Sequence, residues 1–215
     1  MSFRKLLKTW WNALWSTRWY LLLFIILNFL FSFVNIAIGI YIDKVPSAVV
    51  SDIILDNTPA LNLDIIYIWV FLFMTHFLYI YPIVFEPRRA YYYFGLIFLL
   101  YVTRTLFIAL THLQGDPSCL VPSYPAFFQA LTFKNDLFFS GHTAFPFLGF
   151  LMFRNRYAKA FFLTASLVLA ATVLLTHCHY SIDVFAAFFI AYGVYVGGTK
   201  LFTHFGWMPE QLRTK

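Results

Sequence analysis

Charged side chains are scarce in this sequence: Asp, Glu, Lys and Arg together make up 11% of 215 residues, whereas a soluble domain carries about 25%. With 61% of its residues hydrophobic, the chain lacks the polar groups needed to cover a globular surface. Soluble folds are thereby excluded. Two cysteines are too few for a disulfide framework, and nine glycines and nine prolines are too few for a collagenous or low-complexity chain. No Pro/Gly/Ser-rich linker and no internal repeat divides the sequence, so a single domain is expected. The formal net charge of +6 would suggest nucleic acid in a soluble protein. In a chain this apolar it reports membrane orientation instead, and no nucleic-acid partner is expected.

What is present is a succession of long apolar runs, each bounded by charge, and a membrane helix needs roughly 20 such residues. Arg18 to Asp43 encloses the first, Asp64 to Glu86 the second, and Arg89 to Asp116 the third, interrupted only by Arg104. Asp136 to Arg154 encloses a shorter fourth, Lys159 to Asp183 a fifth, and Asp183 to about Phe202 a sixth. The expected fold is an all-α membrane protein, a six-transmembrane-helix bundle with both termini on one side. Every basic residue except Lys44, Lys134 and Arg104 falls on the side of the termini, while among the acids only Glu86 and Glu210 do. The positive-inside rule then predicts a multi-pass membrane protein with cytoplasmic termini.

Ahead of the first span, Phe3, Leu6, Leu7, Trp10, Trp11 and Leu14 recur at helical spacing among Arg4, Lys5, Lys8 and Asn12. This predicts an amphipathic helix over residues 1–18 lying in the interface, retained rather than cleaved, because the next apolar run is full span length and no small-residue cleavage site follows. The catalytic six-helix domain is then expected over 19–203 and a cytoplasmic tail over 204–215.

Ionisable groups within a bundle are costly and usually face its interior, so the histidines carry the chemical signal. His142 lies in Ser140-Gly141-His142-Thr143 at the outer end of the fourth span, and His177 and His179 lie in the outer turn between the fifth and sixth. The topology brings both clusters to the same non-cytoplasmic face, with Arg104 in the outer half of the third span. His179 and Asp183 are four residues apart, which stacks them on one helix face. The carboxylate can accept the imidazole Nδ1 proton and leave Nε2 as a nucleophile, with His142 as the acid that protonates a departing oxygen. Arg104 can hold phosphate oxygens bidentately or pair structurally with Asp136. Zinc binding by His142, His177, His179 and Asp183 is chemically possible, but a phosphohistidine pair needs no metal and none is expected, nor any other cofactor.

The Ser140-Gly141-His142-Thr143 run with Asp136 before it, together with His179-Tyr180-Ser181-Ile182-Asp183-Val184 and Ala187, resembles the two catalytic motifs of sphingomyelin synthases. The resemblance extends to ceramide phosphoethanolamine synthases and, more loosely, to the type 2 phosphatidic acid phosphatase superfamily. Asp43-Lys44-Val45-Pro46 and Pro59 to Asp64 resemble the family's first exoplasmic loop, and Tyr101 to Leu113, with Arg104 and Thr111, resembles its third span. The resemblance implies His179 as the nucleophile taking the phospho-headgroup, Asp183 as its partner and His142 as the acid for departing diacylglycerol. It also marks His177. Ser140, Gly141, Asp136, Tyr180 and His177 are taken with Arg104 as candidate phosphate- or substrate-binding positions. Two departures stand out: Lys134-Asn135-Asp136 replaces the usual Cys-Gly-Asp, and Val173 stands where phosphatase-type relatives carry a phosphate-gripping Arg. The second argues against the simple phosphatase branch.

The expected activity is transfer of a headgroup from a glycerophospholipid donor to ceramide or another lipid acceptor, on the exoplasmic, periplasmic or lumenal face. Water as acceptor would make a phospholipase C or lipid phosphatase, and a non-catalytic scaffold or lipid carrier is the reading from another class. His76 is expected to be an interhelical hydrogen-bond partner, His112 to lie near the site and His204 to be inert. Tyr124, Phe127 and Phe128 are expected as interfacial anchors, with contact to a quaternary ammonium headgroup the alternative. Cys119 and Cys178 both face the non-cytoplasmic side, where a disulfide is allowed.

Overall fold

In the computed structural model, residues 2–45, 47–124, 132–209 and 212 are described. Among them the chain is all-helical, with six principal helices: α1 (Phe3–Ile42), α2 (Ile65–Phe85), α3 (Ala90–Leu110), α4 (Gly141–Met152), α5 (Arg156–Leu175) and α6 (Ser181–His204). All but α4 are long and apolar enough to cross a membrane, as expected of a multi-pass membrane protein.

Local chemistry sets the helix ends. The residue before a proline is disfavoured in the α region, and α2 stops at Glu86 (φ −131°) before Pro87. The Asn155 side chain caps α5 by accepting from the N–H groups of Tyr157 and Ala158. Gly206, at φ +68°, turns the chain back after α6, so that Trp207 packs on Phe202 and its carbonyl accepts from the Tyr91 hydroxyl at 2.9 Å. The start of the expected cytoplasmic tail therefore folds onto the bundle, while Glu210, Arg213 and Lys215 lie outside the described residues.

Two elements differ from the sequence expectation in form. No break separates an interfacial segment from the first span: α1 runs unbroken for 40 residues, about 60 Å at 1.5 Å per residue. The reason is compositional, since neither Gly nor Pro occurs between Ser2 and Ile38. In turn, α4 has only 12 residues, about 18 Å, against a hydrocarbon core of about 30 Å. It is a buried helix, presenting Ala144, Leu148, Gly149 and Met152 to its neighbours. The non-helical stretch before it enters the protein too, with Leu137, Phe139 and Ser140 buried. Irregular backbone is tolerated there because the protein, not lipid, surrounds it.

The core centres on α3, whose Tyr92, Tyr93, Leu96, Ile97 and Leu100 pack with Leu148 of α4, Phe162 and Leu169 of α5, and Ala187 and Ala191 of α6. Small residues permit the close approaches. A Cβ on Gly149 would lie 2.5 Å from the Phe162 ring. Polar side chains fasten α1 to α3: Asn28 Nδ2 donates to the Phe94 carbonyl at 3.1 Å, and Thr105 donates to Asn35 Oδ1 at 2.9 Å. His76 sits on an exposed face and bonds back to Leu72 of its own helix, not to a neighbour.

Over one end of the bundle the loops form a polar layer. Asp43 accepts from the N–H groups of Lys134 and Asn135, which fastens the end of α1 beneath the approach to α4. Asp52 reaches further: its carboxylate accepts from Ile54 and Leu55 in its own turn and from Ser181, the first residue of α6, at 2.6 Å. Cys119 and Cys178 form a disulfide. Beside it His177 is held on both ring nitrogens, by Ser118 Oγ at 2.6 Å and Thr58 Oγ1 at 3.4 Å.

Two predictions test this layer. Replacing both Cys119 and Cys178 by Ser removes a constraint across 59 residues of sequence and should lower the unfolding free energy by roughly 2–4 kcal/mol, read by denaturant titration in detergent. For Asp52, burial alone would raise the carboxyl pKa, but the Ser181, Leu55 and Ile54 hydrogen bonds outweigh it and hold it below the usual 3.8. A depressed carboxyl stabilises the fold above its unfolded pKa and loses that contribution as pH falls through the folded value. Asp52→Asn should thus be less stable than the parent by about 1–3 kcal/mol at pH 6, and thermal melts should show the gap closing below about pH 3.8.

Candidate active site

The first turn of α6 and the approach to α4 meet at Asp183. This carboxylate is fully buried and takes three donors: Phe138 N–H on Oδ1 at 2.9 Å, and Tyr180 N–H and His179 Nδ1 on Oδ2, both at 3.0 Å. A carboxylate only accepts, so the His179 proton resides on Nδ1 and Nε2 carries the lone pair. The geometry follows from spacing, because residues four apart share a helix face. The two motifs are further tied by Ser140 N–H donating to the Asp183 carbonyl at 3.2 Å.

Phe138 adopts φ +77°, a left-handed conformation that costs a non-glycine residue of order 1–3 kcal/mol. Its N–H is the group that reaches Asp183, and its ring stacks on Phe107 of α3 at 5.6 Å. The strain thus accompanies the contact that joins the two halves of the site.

His142 occupies the first turn of α4 and faces His179, their ring centroids 6.3 Å apart. Tyr67 and Phe71, four residues apart on α2, pack their rings on it at 4.2 and 4.0 Å. His142 Nε2 itself is buried without a partner among the described residues. Residues Ile65–Val70 are wound as a π-helix, a local form that recurs at functional sites. Tyr124 packs edge-on against the Tyr67 ring at 6.3 Å, so an aromatic pair stands behind His142. Phe127 and Phe128 lie outside the described residues.

Arg104 is buried in α3 and forms an ion pair with Asp136 through Nη2. Its Nε, like His142 Nε2, is buried without a partner among the described residues. Gly141 makes this placement possible, since a Cβ there would sit 3.1 Å from that Nε. Two orphaned buried nitrogens in one site are each costly by about 1–3 kcal/mol, and both suit an anionic oxygen ligand. The start of α4 lies beside them, adding free backbone N–H groups and the positive end of the helix dipole.

The structure therefore brings together His142, His179, Asp183, Arg104, Asp136, Ser140 and Gly141. Ser140 is wholly buried and accepts from Thr143 Oγ1 at 3.3 Å. Tyr180 and His177 are placed differently. The Tyr180 hydroxyl donates to the Gln114 carbonyl at 2.8 Å, and His177 has both nitrogens engaged by the outer loops, so each secures the loop layer around α6. His112 contacts Tyr41 at a ring distance of 5.7 Å, and His204 contacts Phe205. Among the described residues no three His, Cys, Asp or Glu side chains converge as metal donors. Sequence reasoning missed Tyr67, Phe71, Phe138 and Asp52. The aromatics lay among many others in apolar runs, and a backbone N–H leaves no trace in a sequence.

Residues 135–199 match the family model described as PAP2 superfamily C-terminal. The matched segment includes Asp136, the Ser140-Gly141-His142 run, His179 and Asp183; Arg104 precedes it. Comparisons with curated proteins and with solved structures give no match. The segment match supports the type 2 phosphatidic acid phosphatase superfamily, and with it a membrane-embedded phosphatase or phosphotransferase type of activity on lipid phosphates.

Proposed function

We propose that the protein is a lipid phosphotransferase of the sphingomyelin synthase-like kind, working through a phosphohistidine at His179. The observation that carries this reading is the His179–Asp183 hydrogen bond on Nδ1 with His142 across a gap of 6.3 Å between ring centroids, a separation that one tetrahedral phosphate can bridge. Arg104 Nε and the start of α4 support it as holders of the phosphate oxygens.

In the first half-reaction the His179 Nε2 lone pair attacks phosphorus, the bond from phosphorus to the diacylglycerol oxygen breaks, and His142 gives that oxygen a proton from Nε2. The bound phosphodiester's negative charge supports the imidazolium required for this step, and the Tyr67 and Phe71 rings hold the imidazole in place. In the second, an acceptor hydroxyl passes its proton to His142 and attacks phosphorus, and the nitrogen–phosphorus bond breaks. Both imidazoles are almost wholly buried, 8% and 5% exposed for His142 and His179, which favours a lipid hydroxyl such as that of ceramide over bulk water. The charge segregation supports an exoplasmic, periplasmic or lumenal position for this end.

The experiment supplies headgroup-labelled phosphatidylcholine or phosphatidylethanolamine with ceramide to the protein in mixed micelles. Label should move to ceramide, and His179→Ala should abolish the transfer; it also takes a donor from buried Asp183, so its thermal midpoint should fall while the melt stays cooperative. Label released to water in a His179-dependent way would make the protein a phospholipase C. No His179-dependent turnover would remove the enzyme reading altogether.

A second prediction concerns the phosphate clamp. Arg104→Lys keeps a cation but loses the fork and Nε, so turnover should fall roughly 10²- to 10³-fold, the range for a lost oxyanion donor. Gly141→Ala, which crowds that Nε, should fall in the same direction by a smaller factor. Full activity in Arg104→Lys would reduce Arg104 to a structural partner of Asp136.

A further inference from the structure

At the opposite end of the bundle from the histidines, a cleft of about 450 Å³ opens between the first turns of α1 and the turns that join α2 to α3 and α4 to α5. Thr9 and Ala13 form its α1 wall, and Arg88, Arg89 and Arg154 reach it from two separate turns. The acid in the cleft is already engaged: Glu86 pairs with Arg89 at 3.0 Å and accepts from the Tyr93 hydroxyl at 2.6 Å. Arg88 and Arg154 have no hydrogen-bond or ion-pair partner among the described residues. Two exposed arginines without a partner among the described residues therefore line one open cleft, beside the start of α3, whose positive dipole end adds to their field.

The exposed side chains in and around this cleft are those suited to the edge of a bilayer. Phe85, part of the lining, is 64% exposed, and Trp11 and Trp15 on α1 are 56% and 54% exposed, the amphipathic rings typical of headgroup depth. Trp10 donates its indole N–H to the Ile83 carbonyl at 2.9 Å, which holds α1 against the end of α2 and keeps the cleft open between them. Lys5 lies one turn before Thr9 on the same helix.

We infer that this cleft binds the phosphate of an anionic phospholipid from the leaflet at the basic end, with Arg88 and Arg154 on its oxygens and its acyl chains along the exposed Val84 and Phe85 edge of α2. A guanidinium matches phosphate geometry bidentately, and the exposed Phe85 in the lining, next to exposed Val84, favours a lipid over a free anion as the occupant. The site is independent of the histidine site, and its occupant is not consumed there.

The test uses the full-length protein in micelles with equal mole fractions of phosphatidylglycerol and phosphatidylcholine, and counts retained lipids by native mass spectrometry. The wild type should retain phosphatidylglycerol preferentially by roughly ten- to thirtyfold, from about fivefold for each of two basic groups. Arg88→Gln/Arg154→Gln should bring the preference near parity at an unchanged melting midpoint in phosphatidylcholine. Lys159→Gln/Lys200→Gln removes the same charge from the same end outside the cleft and should leave the preference intact. Equal loss in both double variants would mean diffuse attraction and overturn the site. Loss of the preference in millimolar inorganic phosphate at constant ionic strength would make the ligand a free anion and overturn the lipid. If the double variant melts early, Arg154→Gln alone, at an exposed loop position, must still reduce the preference severalfold.

Discussion

The buried carboxylate of Asp183 is the group on which the rest of the site depends. It sits with no exposure to solvent and is satisfied by one side-chain and two backbone donors, from Phe138, His179 and Tyr180. Removing a carboxylate from water is costly unless its lone pairs are met, so each donor is held in place by the requirement to meet it. That requirement orients His179, draws the strained Phe138 turn against α6, and through the Ser140 link sets where α4 begins. The shortness of α4 follows: its first turn must lie level with His179 inside the protein, not at the rim of a full-length span.

Around this centre the outer loops act as a brace. Asp52 meets the first N–H of α6, the Cys119–Cys178 disulfide closes over the turn before it, and His177 and Tyr180 spend their polar atoms on loop partners. The result separates two kinds of polar group. Asp52, His177 and Tyr180 in the brace have found partners, whereas Arg104 Nε and His142 Nε2 have none among the described residues. Thr75 Oγ1 on α2 is the other buried side-chain atom without a partner among the described residues, but the two nitrogens share one site and together suit a ligand with acceptor oxygens.

Much of this was legible in the sequence. Apolar runs bounded by charge located the helices, and the four-residue spacing of His179 and Asp183 foretold their contact because helix geometry converts spacing directly into proximity. The same rule failed where proximity is not local. The amphipathic pattern of residues 1–18 suggests a separate interfacial segment, but with neither Gly nor Pro to break it α1 runs straight through. Arg104 and Asp136 are 32 residues apart, and the structure pairs them through Nη2 while leaving the Arg104 Nε free of any partner among the described residues for the phosphate role proposed above. The basic end was read as orientation alone; only the fold shows that Arg88 and Arg154 converge on one cleft.

The central claim is that His179 is the nucleophile, and covalent trapping tests it most directly. The protein is mixed with headgroup-labelled phospholipid in the absence of acceptor, quenched at alkaline pH to preserve a nitrogen–phosphorus bond, digested and sequenced by mass spectrometry. The account predicts label on the peptide containing His179, absent from His179→Gln and released when ceramide is added before the quench. Label on another residue, or turnover with no labelled protein at any time point, would contradict it.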